Sequence, residues 1–227
     1  MKTSFLWLAF CVGSALAANA TNPQSLITFD DLVLQSYGGP IPNGYAGLNW
    51  DNFGVLDPQA FPGDSVGYLN GMVSPRHVAF NAYANSDGTT TGGFHNIGSI
   101  FDLNSAYLTA AWNDGLQVEA LGFIGGVLTC SNTYTLNTAS PALVNFNYLG
   151  IDTVEFISYG GVPHGNPGFG GTQTAIDNLA ITVPEPEATS LLLFGACFTV
   201  MCWQNKIRAA RSRHESSRKI LLLIRVH

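Results

Sequence analysis

The side chains in this 227-residue chain that could do chemistry are few and widely spaced. Of five histidines, His77, His95 and His164 lie in the body of the chain, and none shows His-x-His, His-Glu-x-x-His or another spacing that puts two imidazoles on one metal. Glycoside hydrolysis needs two carboxyl groups facing each other across a cleft, and Glu119 and Glu155 are the only glutamates in the body. There is no Gly-x-Ser-x-Gly elbow for a serine nucleophile, and the stretch GNPGFGG lacks the lysine and the strand-to-helix setting of a phosphate loop, so it reads as a turn. Cys130 is the one cysteine outside the two apolar ends, which excludes a disulfide framework in the body. Contact chemistry is better represented. Tyr37, Tyr45, Tyr83 and Tyr159 stand near expected loop ends, where a flat ring with a polar tip can stack on the C–H face of a sugar. The expectation is a protein that binds and does not catalyse.

The elements that must hold these side chains read as strands. Charged residues are only 11% of the chain and there are 25 glycines, a balance that suits a loop-rich β protein and not a helical bundle. Apolar segments with strand period recur: SLITFDDLVL, AGLNWDNFGVL, VAFNAYA, AYLTAAW, LQVEALGFIGGVL, ALVNFNYL, DTVEFISYGG and TAIDNLAITV. GGPIPNG, NSDGTTTGG, NDG and VPHGNPGFGG separate them as turns, and helical spacing is not sustained anywhere. In LQVEALGFIGG, Leu116, Val118, Ala120 and Gly122 share one face, so that face turns to a core. The pattern predicts an all-β, antiparallel β-sandwich over residues 21–182, with a jelly roll as the leading topology. Trp50, Phe53, Trp112 and Phe156 are expected in its core.

The two ends differ in charge from this body. Between Thr21 and Val183 there are twelve acids against one base, Arg76, whereas between Gln204 and His227 there are seven bases against one acid. An acidic body disfavours nucleic acid, whose phosphates need lysine and arginine. Lys2, the apolar run from Phe5 to Leu16 and the small residues of SALAANA are the three parts of a secretory signal over residues 1–20, with cleavage expected after Ala17 or Ala20. At the other end, Ala188 to Trp203 is 16 uncharged residues, about 24 Å as a helix against a hydrocarbon core of ~30 Å. The basic stretch 204–213 follows as its cytoplasmic flank. Pro184 and Pro186 stop helix from growing backward and leave an extended motif before the span.

VPEPEATSLLLFGACFTVMCW followed by RAARSR resembles the PEP-CTERM sorting signal of exopolysaccharide-producing Gram-negative bacteria, over residues 183–213. The resemblance implies recognition of Pro184, Glu185 and Pro186 by a membrane-embedded sorting protease of the exosortase type, a transient membrane anchor, and delivery to the cell surface or its surroundings. The chain departs from that pattern by continuing with the basic extension 214–227, HESSRKILLLIRVH. A permanent single-pass anchor with a basic tail is the alternative. A second resemblance is carried by ITFDDL and AIDNLAI, which look like the first and last strands of carbohydrate-binding jelly rolls, whose termini pair side by side and which often carry a structural calcium nearby. Such pairing would bring Asp30, Asp31 and Asp177 together, with Asn178 as a neutral donor, and offer calcium the hard oxygens it takes. The function expected is noncatalytic binding within a polysaccharide matrix; a purely structural matrix or coat protein and a glycoside-acting enzyme stay open beside it.

Overall fold

The computed structural model describes residues 23–60, 66–96, 98–165 and 170–184, together with Trp203 and Lys206. The signal segment, Glu185, Pro186, the extension 214–227 and all of the apolar run except Trp203 lie outside the described residues. Two compact units are present, Met1–Val183 and Pro184–His227. In the second, Trp203 and Lys206 are helical. Among the described residues no helix is long and apolar enough to cross a membrane.

The first unit is an antiparallel β-sandwich. Its strands are β1 (Gln24–Ile27), β2 (Gly38–Pro40), β3 (Leu48–Asp51), β4 (Phe53–Leu56), β5 (Val78–Asn81), β6 (Thr90–Asn96), β7 (Phe101–Ala110), β8 (Asn113–Asp114), β9 (Leu116–Ile124), β10 (Val127–Leu136), β11 (Ala142–Ile151), β12 (Thr153–Tyr159), β13 (Val162–Pro163) and β14 (Thr174–Thr182). One sheet has the order β11-β7-β14-β5-β4-β2, with β1 also on β14; the other has the order β10-β9-β12-β6-β3. Only β9–β10, a hairpin, and β4–β5, joined by the long connection 57–77, are consecutive strands that pair in these sheets, and most other connections cross from one sheet to the other, as a jelly roll requires. β8 and β13 form a separate two-stranded ribbon.

Alternation explains the packing. Along β9 the even positions Leu116, Val118 and Ala120 are fully buried while the odd positions between them are half-buried, so one face meets the opposite sheet. Aromatic rings fill the middle: Trp50 lies 5.0 Å from Phe94, and Phe94, Phe53 and Phe146 all contact Phe156. Trp50, Phe53 and Phe156 are core residues, as their setting predicts; Trp112 is only half-buried. A polar tie crosses between the sheets, where Asn81 of β5 donates to Ser158 Oγ of β12 at 3.0 Å and accepts the Thr174 N–H at 2.6 Å. Two asparagines with left-handed backbone, Asn147 (φ 53) and Asn178 (φ 50), form bulges in β11 and β14 that flank β7 at the level of Ser105. Asparagine tolerates that conformation better than the β-branched residues common in strands.

Two local expectations are corrected. Thr90–Asn96, part of which reads as a turn, is strand β6. Its glycines are there because backbone comes close: a Cβ on Gly93 would lie 2.4 Å from the Val154 carbonyl oxygen, and one on Gly92 would lie 3.0 Å from the Phe53 ring. The segment ITFDDL is mostly not strand, since β1 ends at Ile27 and Phe29 turns the chain with φ 63. A helix does occur in the body, the six-residue α1 (Val66–Gly71). It lies on the outer face of β7 and β14 over a second apolar cluster of Leu56, Tyr68, Val78, Ala111 and Ala175.

Candidate functional site

Next to α1, among the described residues, a groove of about 720 Å³ lies on the outer face of the first sheet. Its floor follows from strand alternation. Phe80 of β5 points outward, and its ring lies over Gly54 of β4, where a Cβ would stand 2.8 Å from the ring carbons. Tyr68 of α1 stacks edge-on against both Phe80 (5.4 Å between centroids) and Trp112 (5.7 Å). Tyr37 and Tyr83, both exposed, are in the lining too, with Asp51, Asn52 and Ser36. Ser36 has φ 77, a left-handed conformation that a serine adopts only where its surroundings impose it. Burial pushes the Tyr68 phenol well above its ordinary range, so it stays neutral at any physiological pH.

Two devices position the exposed rings. The Tyr83 backbone is clamped by one side chain: Asn52 Oδ1 accepts the Tyr83 N–H at 3.0 Å and Asn52 Nδ2 donates to the Tyr83 carbonyl at 3.0 Å. Trp112 is held by the ribbon of β8 and β13. The His164 N–H donates to the Trp112 carbonyl at 2.9 Å, and Gly171 packs so closely on the indole that a Cβ there would lie 2.8 Å from it. His164 is in turn tied to Asp114, with 2.6 Å between Nδ1 and Oδ2.

Asp114 gives this ribbon a pH dependence. The Thr138 N–H and the His164 ring hold its carboxyl down, to about 2 from an ordinary 3.8. A lowered carboxyl stabilises the fold fully above its unfolded value and loses that contribution as pH falls through the folded value. The contribution of Asp114, read as the difference in melting temperature between the wild type and Asp114→Asn, is therefore expected to shrink as pH falls from the unfolded value of 3.8 toward about 2. Thermal melts of both proteins across that range check it.

The other residues singled out in the sequence fall elsewhere. Tyr45 is half-buried against Phe29 and Trp50 and donates its hydroxyl proton to Asp31 at 2.6 Å, so it is a packing residue. Tyr159 closes β12 in the opposite sheet, away from the groove lining. Asp30 and Asp177 do converge, but on the loop Val73–His77. Asp177 accepts N–H groups from Val73, Ser74 and Asn178 and the Ser74 hydroxyl, at 2.6–3.0 Å, and Asp30 Oδ1 accepts those of Arg76 and His77. These oxygens face donors, Asp31 faces Tyr45, and only Asn178 Oδ1 of the expected set is buried without a hydrogen-bond partner among the described residues. Calcium takes roughly six to eight oxygens, so this donor set does not fit it. Among the described residues no three His, Cys, Asp or Glu side chains form a metal-sized group. Glu155 lines a shallow pocket of about 350 Å³ with Asp51, Asn49 and His95, whereas Glu119 is outside that lining and accepts the Ser131 hydroxyl. Pro184 follows the sandwich directly; its motif partners are outside the described residues.

No protein-family model matches the sequence, and no curated protein matches it. Solved structures do. A DUF4465 family protein from Bacteroides caccae superposes with a TM-score of 0.51 at 10% identity, over 71% of this chain and 100% of that one, a likeness of fold alone. A second DUF4465 family protein, from Bacteroides ovatus, matches with a TM-score of 0.38 at 9% identity, over 70% and 93% of the two chains. TmCBM61, solved with β-1,4-galactotriose, matches with a TM-score of 0.31 at 7% identity, over 63% and 95%. The last two overlap too loosely to add to the fold likeness.

Proposed function

We propose that the sandwich is a noncatalytic glycan-binding domain, exported from the cell and delivered to its surface or matrix by the C-terminal segment. The groove is the observation that supports this. It combines flat aromatic surface from Trp112, Phe80, Tyr37 and Tyr83 with oxygen acceptors from Asp51 and Ser36. Sugars need that combination, since their C–H faces are apolar and their hydroxyls must keep hydrogen bonds when they leave water.

Tyr83→Ala is the cleanest variant, because the residue is 79% exposed and its loop is held through the backbone. On an array of matrix polysaccharides, the full chain is expected to bind at least one glycan, and Tyr83→Ala to weaken that binding about tenfold without changing the melting temperature. Trp112→Ala is expected to weaken it further, with some loss of stability because Tyr68 and Gly171 lose their neighbour. Binding that is unaffected in both variants would rule the groove out.

Export and sorting rest on the signal-like first 20 residues and on Pro184-Glu185-Pro186 ahead of the apolar run and its basic flank. An exosortase-type protease would cut near Pro184–Pro186, and mass spectrometry of the native protein would find its C-terminus there; recovery with the basic tail intact would favour a permanent anchor. A structural matrix role is the second reading. β10 and β11, which end the two sheets on one side, are ten-residue strands without a charged side chain, so two copies of an otherwise acidic domain can pair there. Sedimentation would show concentration-dependent assembly, and the glycan array would be blank.

A further inference from the structure

We infer that the groove selects uncharged glycans and rejects uronate-bearing or sulfated ones. This rests on the glycan reading above and concerns which chains that same groove accepts.

The inference comes from the groove's charge and its supply of donors. Among the described residues Asp51 is the only charged residue in its lining, and it is an acceptor. The side-chain amide in the lining, that of Asn52, is already engaged. Asn52 Nδ2 donates to the carbonyls of Tyr83 and Thr91, at 3.0 and 2.6 Å. Arg76, the one base between Thr21 and Val183, is outside the lining and places its Nε 2.6 Å from Asp57 Oδ2. A carboxylate on the sugar would thus meet Asp51 and an acidic domain with no cation to offset them. Uncharged hydroxyls, which donate as well as accept, suit an acceptor-rich wall.

Repulsion between exposed charges is screened by salt, which separates it from a steric mismatch. Calorimetric titration of the full chain in detergent with oligomers of an uncharged hexose and of the corresponding uronic acid, matched in linkage and length, tests the inference at about 20 mM and about 500 mM salt. The uncharged oligomer is expected to bind at least about tenfold more tightly at low salt, with the gap narrowing at high salt. Asp51→Asn is expected to narrow the low-salt gap, while Tyr83→Ala weakens both ligands and leaves their ratio unchanged. Uronate binding equal to or tighter than that of the uncharged oligomer at low salt would overturn the charge selection and leave glycan binding standing. A gap that ignores both salt and Asp51→Asn would overturn it in favour of shape. Failure of every oligomer to bind would overturn both readings.

Discussion

Replacing Gly67 by alanine is expected to lower stability by about 3 kcal/mol, or roughly 6–12 °C in melting temperature. Helix α1 approaches β7 so closely at this residue that a Cβ would stand 2.0 Å from the Ala110 carbonyl oxygen and 2.5 Å from that of Ala111. Both atoms are backbone, Ala110 ending β7 opposite Thr174 of β14 and Ala111 donating its N–H to the Gln173 carbonyl, so neither can swing aside as a side chain would. The helix must lift instead, taking Tyr68 from Phe80 and Trp112 and changing the groove wall. Calorimetry of the variant together with the glycan titration checks this, since both readouts should move. A melting temperature within a degree or two of wild type would show that α1 is not seated as described.

Asp177→Ala carries the second large effect, also about 3 kcal/mol. The side chain is fully buried where β5 and β1 lie end to end along β14, β5 against Ala175 and Ile176 and β1 against Leu179 to Thr182. Burial pushes its carboxyl up, against the pull of the Ser74, Asn178 and Val73 donors. Removing it leaves three backbone N–H groups without their acceptor at the seam between two strands. Asp177→Asn keeps the shape but turns an amide toward N–H donors, so about half the loss is expected. Denaturant titration of both variants, with amide exchange at Val73 and Ser74, measures the effect and locates it.

What sequence reading recovers here depends on whether the cause is local. β9 and β12 are legible because every second residue is apolar, and the pairing of β1 with β14 follows from the resemblance of the two ends to jelly-roll termini. β6 is hidden, since Thr90, Thr91, Gly92 and Gly93 look like a turn until Phe53 and Val154 are known to press against them. α1 is hidden for a related reason: six residues with a glycine at each end of GYLNG have no periodicity, and what holds them is contact with Ala110, Ala111 and Ala175. In the site, Tyr37 and Tyr83 are visible as tyrosines near loop ends, but their convergence on one groove is a tertiary fact. Trp112 reads as core because it closes an apolar run, and only the ribbon of β8 and β13 shows that it is held at the surface. The aspartates illustrate the same limit. Composition shows their oxygens, while the donors that occupy them come from a loop about a hundred residues away in sequence from Asp177.

The chain leaves the sandwich from β14, which is bonded to β7 along one edge and to β1 and β5 along the other. If the domain is tethered through its C-terminus, traction on Val183 enters the sheet through a strand gripped from both sides. Yielding then requires two ladders to rupture together, where an edge strand would peel off one bond at a time, so this attachment suits a protein exposed to shear.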